Sequence, residues 1–234
     1  MNMLDQKLHE RFLMILLRDI YSDIYLAPRL LFKGGTACYF FYKLNRFSTD
    51  LDFDLLEKQS ASAVKDRIEK IIQKYGRITD QQIKYNTIFF CFAYRVGEQN
   101  IKLEISTRDL PAGKTVKNFF GLSVPVMNIE DMFSYKLIAI TGRKKIANRD
   151  LYDTNWFFGQ QIVPNEEIIQ NMTNMDTVSY LKKVLLFVKK NIGNRNILNG
   201  LGEVLDTDQK QWVKQNLKDN LIFHLETYII SYKR

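Results

Sequence analysis

The chain has 234 residues, of which 46% are hydrophobic and 13% aromatic, enough to bury a sizeable core in one medium domain or a compact pair. With 34 Lys and Arg against 26 Asp and Glu, the formal charge of +8 suits a polyanionic partner such as nucleic acid. The two histidines (His9, His224) and the two cysteines in apolar runs (Cys38, Cys91) argue against a zinc centre of the Cys/His kind and against a disulfide scaffold.

Leu4, Leu8, Phe12, Ile15 and Ile20 fall at helical spacing, so the chain is expected to open on an amphipathic helix. The apolar run Phe12–Leu17 is short and flanked by Arg11, Arg18 and Asp19, unlike a signal peptide, and no stretch approaches the ~20 apolar residues of a membrane span. A cytoplasmic, reducing location with no membrane partner is the expectation.

Leu30-Leu31-Phe32 then leads into Gly34-Gly35, and the aromatic run Thr36–Tyr42 reads as a buried helix after a tight strand-to-helix turn. In Asp50-Leu51-Asp52-Phe53-Asp54-Leu55-Leu56, polar and apolar residues alternate, which predicts a strand with its carboxylates on one face. A helix is expected over 60–75, with Val64, Ile68, Ile71 and Ile72 inward. Strands follow at 87–96 and 101–106, joined by a turn at Gly97. From Ile129 the period becomes helical, with Leu137, Ile138, Leu151, Trp156, Phe157, Leu181, Leu185, Phe187, Trp212 and Ile222 as its apolar positions. The reading is an α+β chain in two domains, 1–128 mixed and 129–234 all-helical.

The chemistry concentrates around Lys33-Gly34-Gly35-Thr36 and Asp50-Leu51-Asp52. Aspartates at i and i+2 of a strand project side by side, and their hard oxygens can hold one or two Mg²⁺ ions against nucleotide phosphates. Glu104, on the alternating strand Ile101–Ser106, is the candidate third carboxylate. Without Cβ atoms, Gly34 and Gly35 let backbone N–H groups approach phosphate oxygens, and Thr36 adds a hydroxyl at a helix N-terminus. Asp54, on the same face, is expected beyond the metals.

Lys136, Ile140 and Arg143 fall at i, i+4 and i+7, so the two cations share a helix face fit to bind a triphosphate or leaving pyrophosphate. Asp150 and Asp153 either orient these cations or a catalytic base, or else cap and pair within their own helix. Lys114, Lys117, Lys144, Lys145, Lys182, Lys183, Lys189 and Lys190 are candidates for an RNA track or are solvated lysines.

The segment KGGTACYFFYKLNRFSTDLDF resembles the first motif of DNA polymerase β-like nucleotidyltransferases, and within them the AbiEii/AbiGii toxin group. Gly34, Gly35, Thr36, Arg46, Ser48, Asp50, Asp52 and Phe53 match its Gly-Gly-Thr and Arg-x-Ser-x-Asp-x-Asp-Phe pattern. Tyr135-Lys136-Leu137-Ile138-Ala139, Arg143 and Arg149-Asp150-Leu151-Tyr152-Asp153 extend it, so the matches span residues 33–153. Glu104 departs from it, since Asp is usual there.

The resemblance implies a nucleotidyltransferase core, a mixed sheet with flanking helices, followed by a helical C-terminal domain. It implies Asp50, Asp52 and Glu104 as ligands of two Mg²⁺ ions, with Lys136 and Asp150 as further catalytic residues. Gly34, Gly35, Thr36, Arg46, Ser48, Lys136, Arg143 and Asp153 are its implied nucleotide-binding residues. The implied reaction moves a nucleotide from an NTP to an acceptor, such as the 3′ end of tRNA or another RNA, by the toxin of a toxin–antitoxin or abortive-infection system with a cognate antitoxin protein. Transfer to a protein side chain or small molecule, and a nucleotide-binding regulator without turnover, are the competing readings.

Overall fold

The structure is a computed structural model that describes residues 5–97, 99–143 and 145–232. Leu4 and Lys144, both named above, lie outside the described residues. The chain divides into two compact units, Met1–Asn128 and Ile129–Arg234.

The first unit is built on a mixed sheet. Its strands are β1 (Leu30–Lys33), β2 (Leu51–Leu55), β3 (Arg77–Lys84), β4 (Thr87–Ala93), β5 (Ile101–Ser106), β6 (Lys114–Phe119) and β7 (Leu122–Met127), in the spatial order β3-β4-β5-β2-β1-β7-β6. β2 lies antiparallel to β1 and parallel to β5, and β7 is parallel to β1; the outer pairs are antiparallel hairpins. The alternation of β2 has a simple cause: Leu51, Phe53 and Leu55 turn into the core beside Phe32, Leu103 and Ile105. Three strands exceed what periodicity predicts. β3 is polar and exposed at most positions and β6 is an edge strand with Val116 outward, so neither shows clean alternation, while β7 carries Pro125, a residue that argues against a strand.

The helices of this unit are α1 (Gln6–Ser22), α2 (Gly34–Tyr42) and α3 (Ala61–Gln73). Asp5 caps α1, its side chain accepting from Leu8 N at 3.0 Å. The buried face of α1 is His9, Leu13, Leu16, Leu17, Ile20 and Tyr21, one position round from the expected stripe, with Leu8, Phe12 and Ile15 only half-buried. α3 buries Val64, Ile68, Ile71 and Ile72 as predicted.

The second unit consists of α4 (Ile129–Gly142), α5 (Asn148–Gly159), α6 (Glu166–Thr173), α7 (Thr177–Asn191) and α8 (Thr207–Ser231). Asn165, Asp176 and Asp206 cap the last three through their side chains. Its core stacks Phe133 on Phe157 with ring centroids 4.9 Å apart. The inward stripe of α8 is Val213, Leu217, Leu221, Leu225 and Ile229; Trp212 is exposed and Ile222 half-buried. Among the described residues no helix is long and apolar enough to cross a membrane.

Candidate active site

β1 ends at Lys33 and the chain turns sharply into α2. Gly34 makes that turn with φ +79°, a region side chains rarely adopt. A Cβ on Gly34 would stand 2.5 Å from Asp52 Oδ2, and one on Gly35 would stand 2.8 Å from Ser48 Oγ and 3.0 Å from Arg46 Nη2. Gly34 thus makes room for Asp52 of β2, and Gly35 for Ser48 and Arg46 of the loop that precedes that strand.

Thr36 of α2 and the residues between α2 and β2 brace the aspartate segment. The buried Thr36 hydroxyl donates to the carbonyl of Asp50 and shares a 2.9 Å hydrogen bond with the Ser48 hydroxyl. Arg46 is 3% exposed and donates from Nη1 to the Phe47 carbonyl at 2.9 Å. Thr36, Arg46 and Ser48 therefore face inward.

A further brace comes from a residue that composition alone set aside. His9, fully buried, has Nε2 2.9 Å from the Thr49 carbonyl and Nδ1 2.9 Å from the Tyr94 hydroxyl. A carbonyl only accepts, so Nε2 carries a proton, and in the neutral ring Nδ1 accepts from Tyr94. The imidazole ties α1 and the end of β4 to the peptide just before Asp50. Its signal in the sequence is the i, i+4, i+8 spacing with Leu13 and Leu17 on the buried face of α1.

Asp50 and Asp52 are both half-buried, and register places Asp52 opposite Lys33 on β1 and opposite Glu104 on β5. Directly paired residues share a sheet face, so the Glu104 side chain, which is exposed, lies on the side that carries Asp52. Among the described residues no three acidic, histidine or cysteine side chains are gathered into a group that could hold a metal ion. A Mg²⁺ site does not require such a cage, since the ion is bound by one or two carboxylates together with water and substrate phosphates. The hard, paired oxygens of Asp50 and Asp52 fit that donor set. Asp54, next on this face, is buried and ion-paired with Lys33, so neighbours on the sheet fix it.

A second polar cluster lies in the helical unit. Lys136 Nζ on α4 is 2.9 Å from Asp150 Oδ1 and 2.9 Å from Asp153 Oδ2 on α5. Arg143 Nε approaches Asp150 Oδ2 to 3.0 Å, an ion pair outside hydrogen-bond geometry, while its side chain stays more than half exposed. Both aspartates are almost wholly buried, and Lys136 reaches both of them inside the unit. The two cations expected on one face of α4 thus both reach the same carboxylate.

Solved structures share the fold, three of them as follows. A protein from H. pylori assigned as a nucleotidyltransferase is 23% identical with a TM-score of 0.62, covering 97% of this chain and 96% of its own. JHP933 from Helicobacter pylori is 22% identical with a TM-score of 0.58, covering 99% and 98%. The nucleotidyltransferase toxin MenT4 from Mycobacterium tuberculosis is 18% identical with a TM-score of 0.54, covering 95% and 93%. No relative is found among curated proteins. The family model of the nucleotidyl transferase AbiEii toxin, type IV toxin–antitoxin system, matches residues 15–215. That match includes the glycine turn, the aspartate pair and the Lys136 cluster, and the chain belongs to the AbiEii nucleotidyltransferase toxin family.

Proposed function

We propose that the protein transfers a nucleotide from an NTP to the 3′ end of an RNA, with tRNA the leading acceptor, and depends on Mg²⁺ to do so. The observation that carries this reading is the Asp50–Asp52 pair beside the Gly34 turn, with Glu104 opposite Asp52 in register. Two Mg²⁺ ions would supply charge neutralisation and Lewis acidity at the phosphates. Asp50 and Asp52 would hold them, and Glu104 would complete the set.

The protein's own groups do the rest. The acceptor 3′-hydroxyl oxygen forms a bond to the α-phosphorus, the α–β bridging bond breaks, and pyrophosphate leaves with that electron pair. The hydroxyl proton passes to a carboxylate, for which Glu104, the most solvent-accessible of the three, is the candidate. Gly34 and Gly35 are proposed to present backbone N–H groups to the phosphates, backed by the inward hydrogen bonds of Thr36, Arg46 and Ser48. Lys136 and Arg143 are proposed to bind nucleotide phosphate, with Asp150 and Asp153 orienting them. Family membership implies a cognate antitoxin, and the basic charge of +8 supports a polyanionic acceptor in the cytoplasm.

The test uses purified protein, Mg²⁺, total bacterial tRNA and each α-labelled NTP in turn. Label is expected in RNA from one NTP. Asp52→Asn, which keeps the side-chain volume, should cut transfer about 10²–10³-fold with an unchanged far-UV circular dichroism spectrum. Label in protein rather than RNA would move the acceptor to a side chain, and undiminished transfer by Asp52→Asn would sink the assigned chemistry.

A further inference from the structure

The β6–β7 hairpin departs from ordinary turn chemistry. Phe119 pairs with Leu122, leaving Phe120-Gly121 as a two-residue turn with φ +50° and +83°. Two consecutive positive φ values are those of a type I′ turn, whose first position favours Asn, Asp or Gly because a bulky side chain there meets the backbone. Burial does not explain the phenylalanine: it is 70% exposed, and its one ring contact is the edge of Phe119 at 4.8 Å. Asn118 Oδ1 accepts from Gly121 N at 3.3 Å, so the turn is already braced without that ring. A local conflict held in place with no packing return marks a functional position.

The surroundings say what such a ring would meet. Phe119 stacks on Phe40 near the end of α2, with centroids 5.7 Å apart and planes 29° apart. Lys117 Nζ sits 4.7 Å over the Tyr42 ring. The fold therefore joins two segments, 34–49 and 110–129, that contain no acidic residue between them. Lys43, exposed at the end of α2, and Lys117 are the lysines on this side; Lys114, three residues before Lys117 on β6, projects from the opposite face of the sheet. Glu10 of α1 meets Tyr39, but the two segments bring lysines and no acid of their own. An exposed aromatic ring beside lysines is the chemistry that binds single-stranded nucleic acid: bases stack on the ring and ammonium groups meet phosphates.

We propose that this face binds a single-stranded segment of RNA, with Phe120 as the stacking platform for one base and Lys43 and Lys117 as phosphate contacts. The proposal rests on the RNA-acceptor reading for the identity of its occupant. Its place in the fold gives it a distinct role. β7 runs parallel to β1 with Phe32 opposite Val126, so the turn that precedes β7 lies toward the start of β1 and away from Gly34. α2, nine residues and so ~13 Å long, separates Gly34 from Tyr42. The platform thus holds nucleotides upstream of the reacting end.

The experiment measures full-length protein against a labelled single-stranded RNA of ~12 nucleotides by fluorescence anisotropy at several salt concentrations, beside thermal melts. Phe120→Asn supplies the residue that the turn prefers, so its melting temperature should rise by about 2–4 °C while RNA affinity falls about 10-fold. Phe120→Tyr should keep wild-type affinity, and Lys117→Gln should lower the salt slope by about one. Opposite signs for stability and binding are what a purely structural ring cannot produce. Unchanged affinity in Phe120→Asn, lost affinity in Phe120→Tyr, or no RNA binding by the wild type would each overturn the platform. So would loss of wild-type self-association in Phe120→Asn with RNA affinity intact, which would make the patch a contact between copies. The nucleotide-transfer assay separates the two readings: RNA bound through Phe120 but never labelled would refute the reaction and leave the platform standing.

Discussion

Gly34 illustrates how one backbone position serves both fold and site. Its φ of +79° alone costs an alanine about 1–2 kcal/mol. The added Cβ would also lie 2.5 Å from Asp52 Oδ2, which must then swing away from its place on β2. Gly34→Ala is accordingly expected to lower the melting temperature by several degrees and to abolish most nucleotide transfer. Gly142 gives the contrast: a Cβ there meets nothing within 4 Å and its φ is not positive, so Gly142→Ala should be neutral or stabilising by about 0.5 kcal/mol. Melting both variants and assaying transfer checks the pair, and equal damage from the two would show that crowding at Asp52 is not the cause. Lys136 obeys a different rule. Removing its charge leaves Asp150 and Asp153 buried and under-compensated, which costs about 3–5 kcal/mol for such groups, so loss of activity in a Lys136→Met variant reports on folding unless Lys136→Arg is measured beside it.

At the scale of elements, the loop after α1 is tied down by Asp23. Its carboxylate accepts from Tyr25 N at 2.8 Å and Leu26 N at 3.1 Å, and Arg67 of α3 donates to it at 2.9 Å. Partial burial alone would raise the Asp23 pKa, but these bonds from Leu26, Tyr25 and Arg67 outweigh it and the pKa falls below the ordinary value. A depressed carboxyl contributes its stability above the unfolded pKa and loses it as pH falls through the folded one. Asp23→Asn should therefore cost about 1 kcal/mol near pH 7, and the gap to wild type should close as pH drops below about 4. Urea unfolding at a series of pH values reads this directly, and a gap that persists unchanged into acid would assign the loss to geometry instead of charge.

The same elements mark where sequence patterning succeeds. Helix α3 and strands β2 and β5 announce themselves because alternation or helical spacing is unbroken over their whole length. The β6–β7 hairpin does not, because Lys114–Phe119 faces solvent on most positions and its turn carries Phe where Asn or Gly is expected. In the candidate site the aspartates and glycines are local in sequence and easily read. What joins them is not local: the His9 bond to the Thr49 carbonyl spans 40 residues, and the Lys33–Asp54 pair depends on β1–β2 register. Single-chain periodicity carries no information on such pairings.

The candidate site residues fall on two units. The aspartate pair belongs to Met1–Asn128 and the Lys136 cluster to Ile129–Arg234. Each unit contains fully buried apolar side chains of its own, Phe32, Phe53, Phe90 and Leu16 in the first and Phe133, Phe157, Leu181 and Leu225 in the second. Each is of domain size, and a unit with its own core is able to fold alone. The strands end at Met127 and the helices resume at Ile129, so a cut after Asn128 severs no secondary-structure element. Expressed separately, residues 129–234 should give a helical circular dichroism spectrum and one cooperative urea transition, and residues 1–128 a mixed spectrum with its own transition. The first fragment keeps Asp50, Asp52 and Glu104; if Lys136 and Arg143 bind nucleotide as proposed, it should transfer no nucleotide even when well folded. Transfer by a folded 1–128 fragment at the full-length rate would confine the reaction to the sheet and leave Lys136, Asp150 and Asp153 a purely structural network. A fragment that fails to fold would show instead that the core of one unit depends on the other.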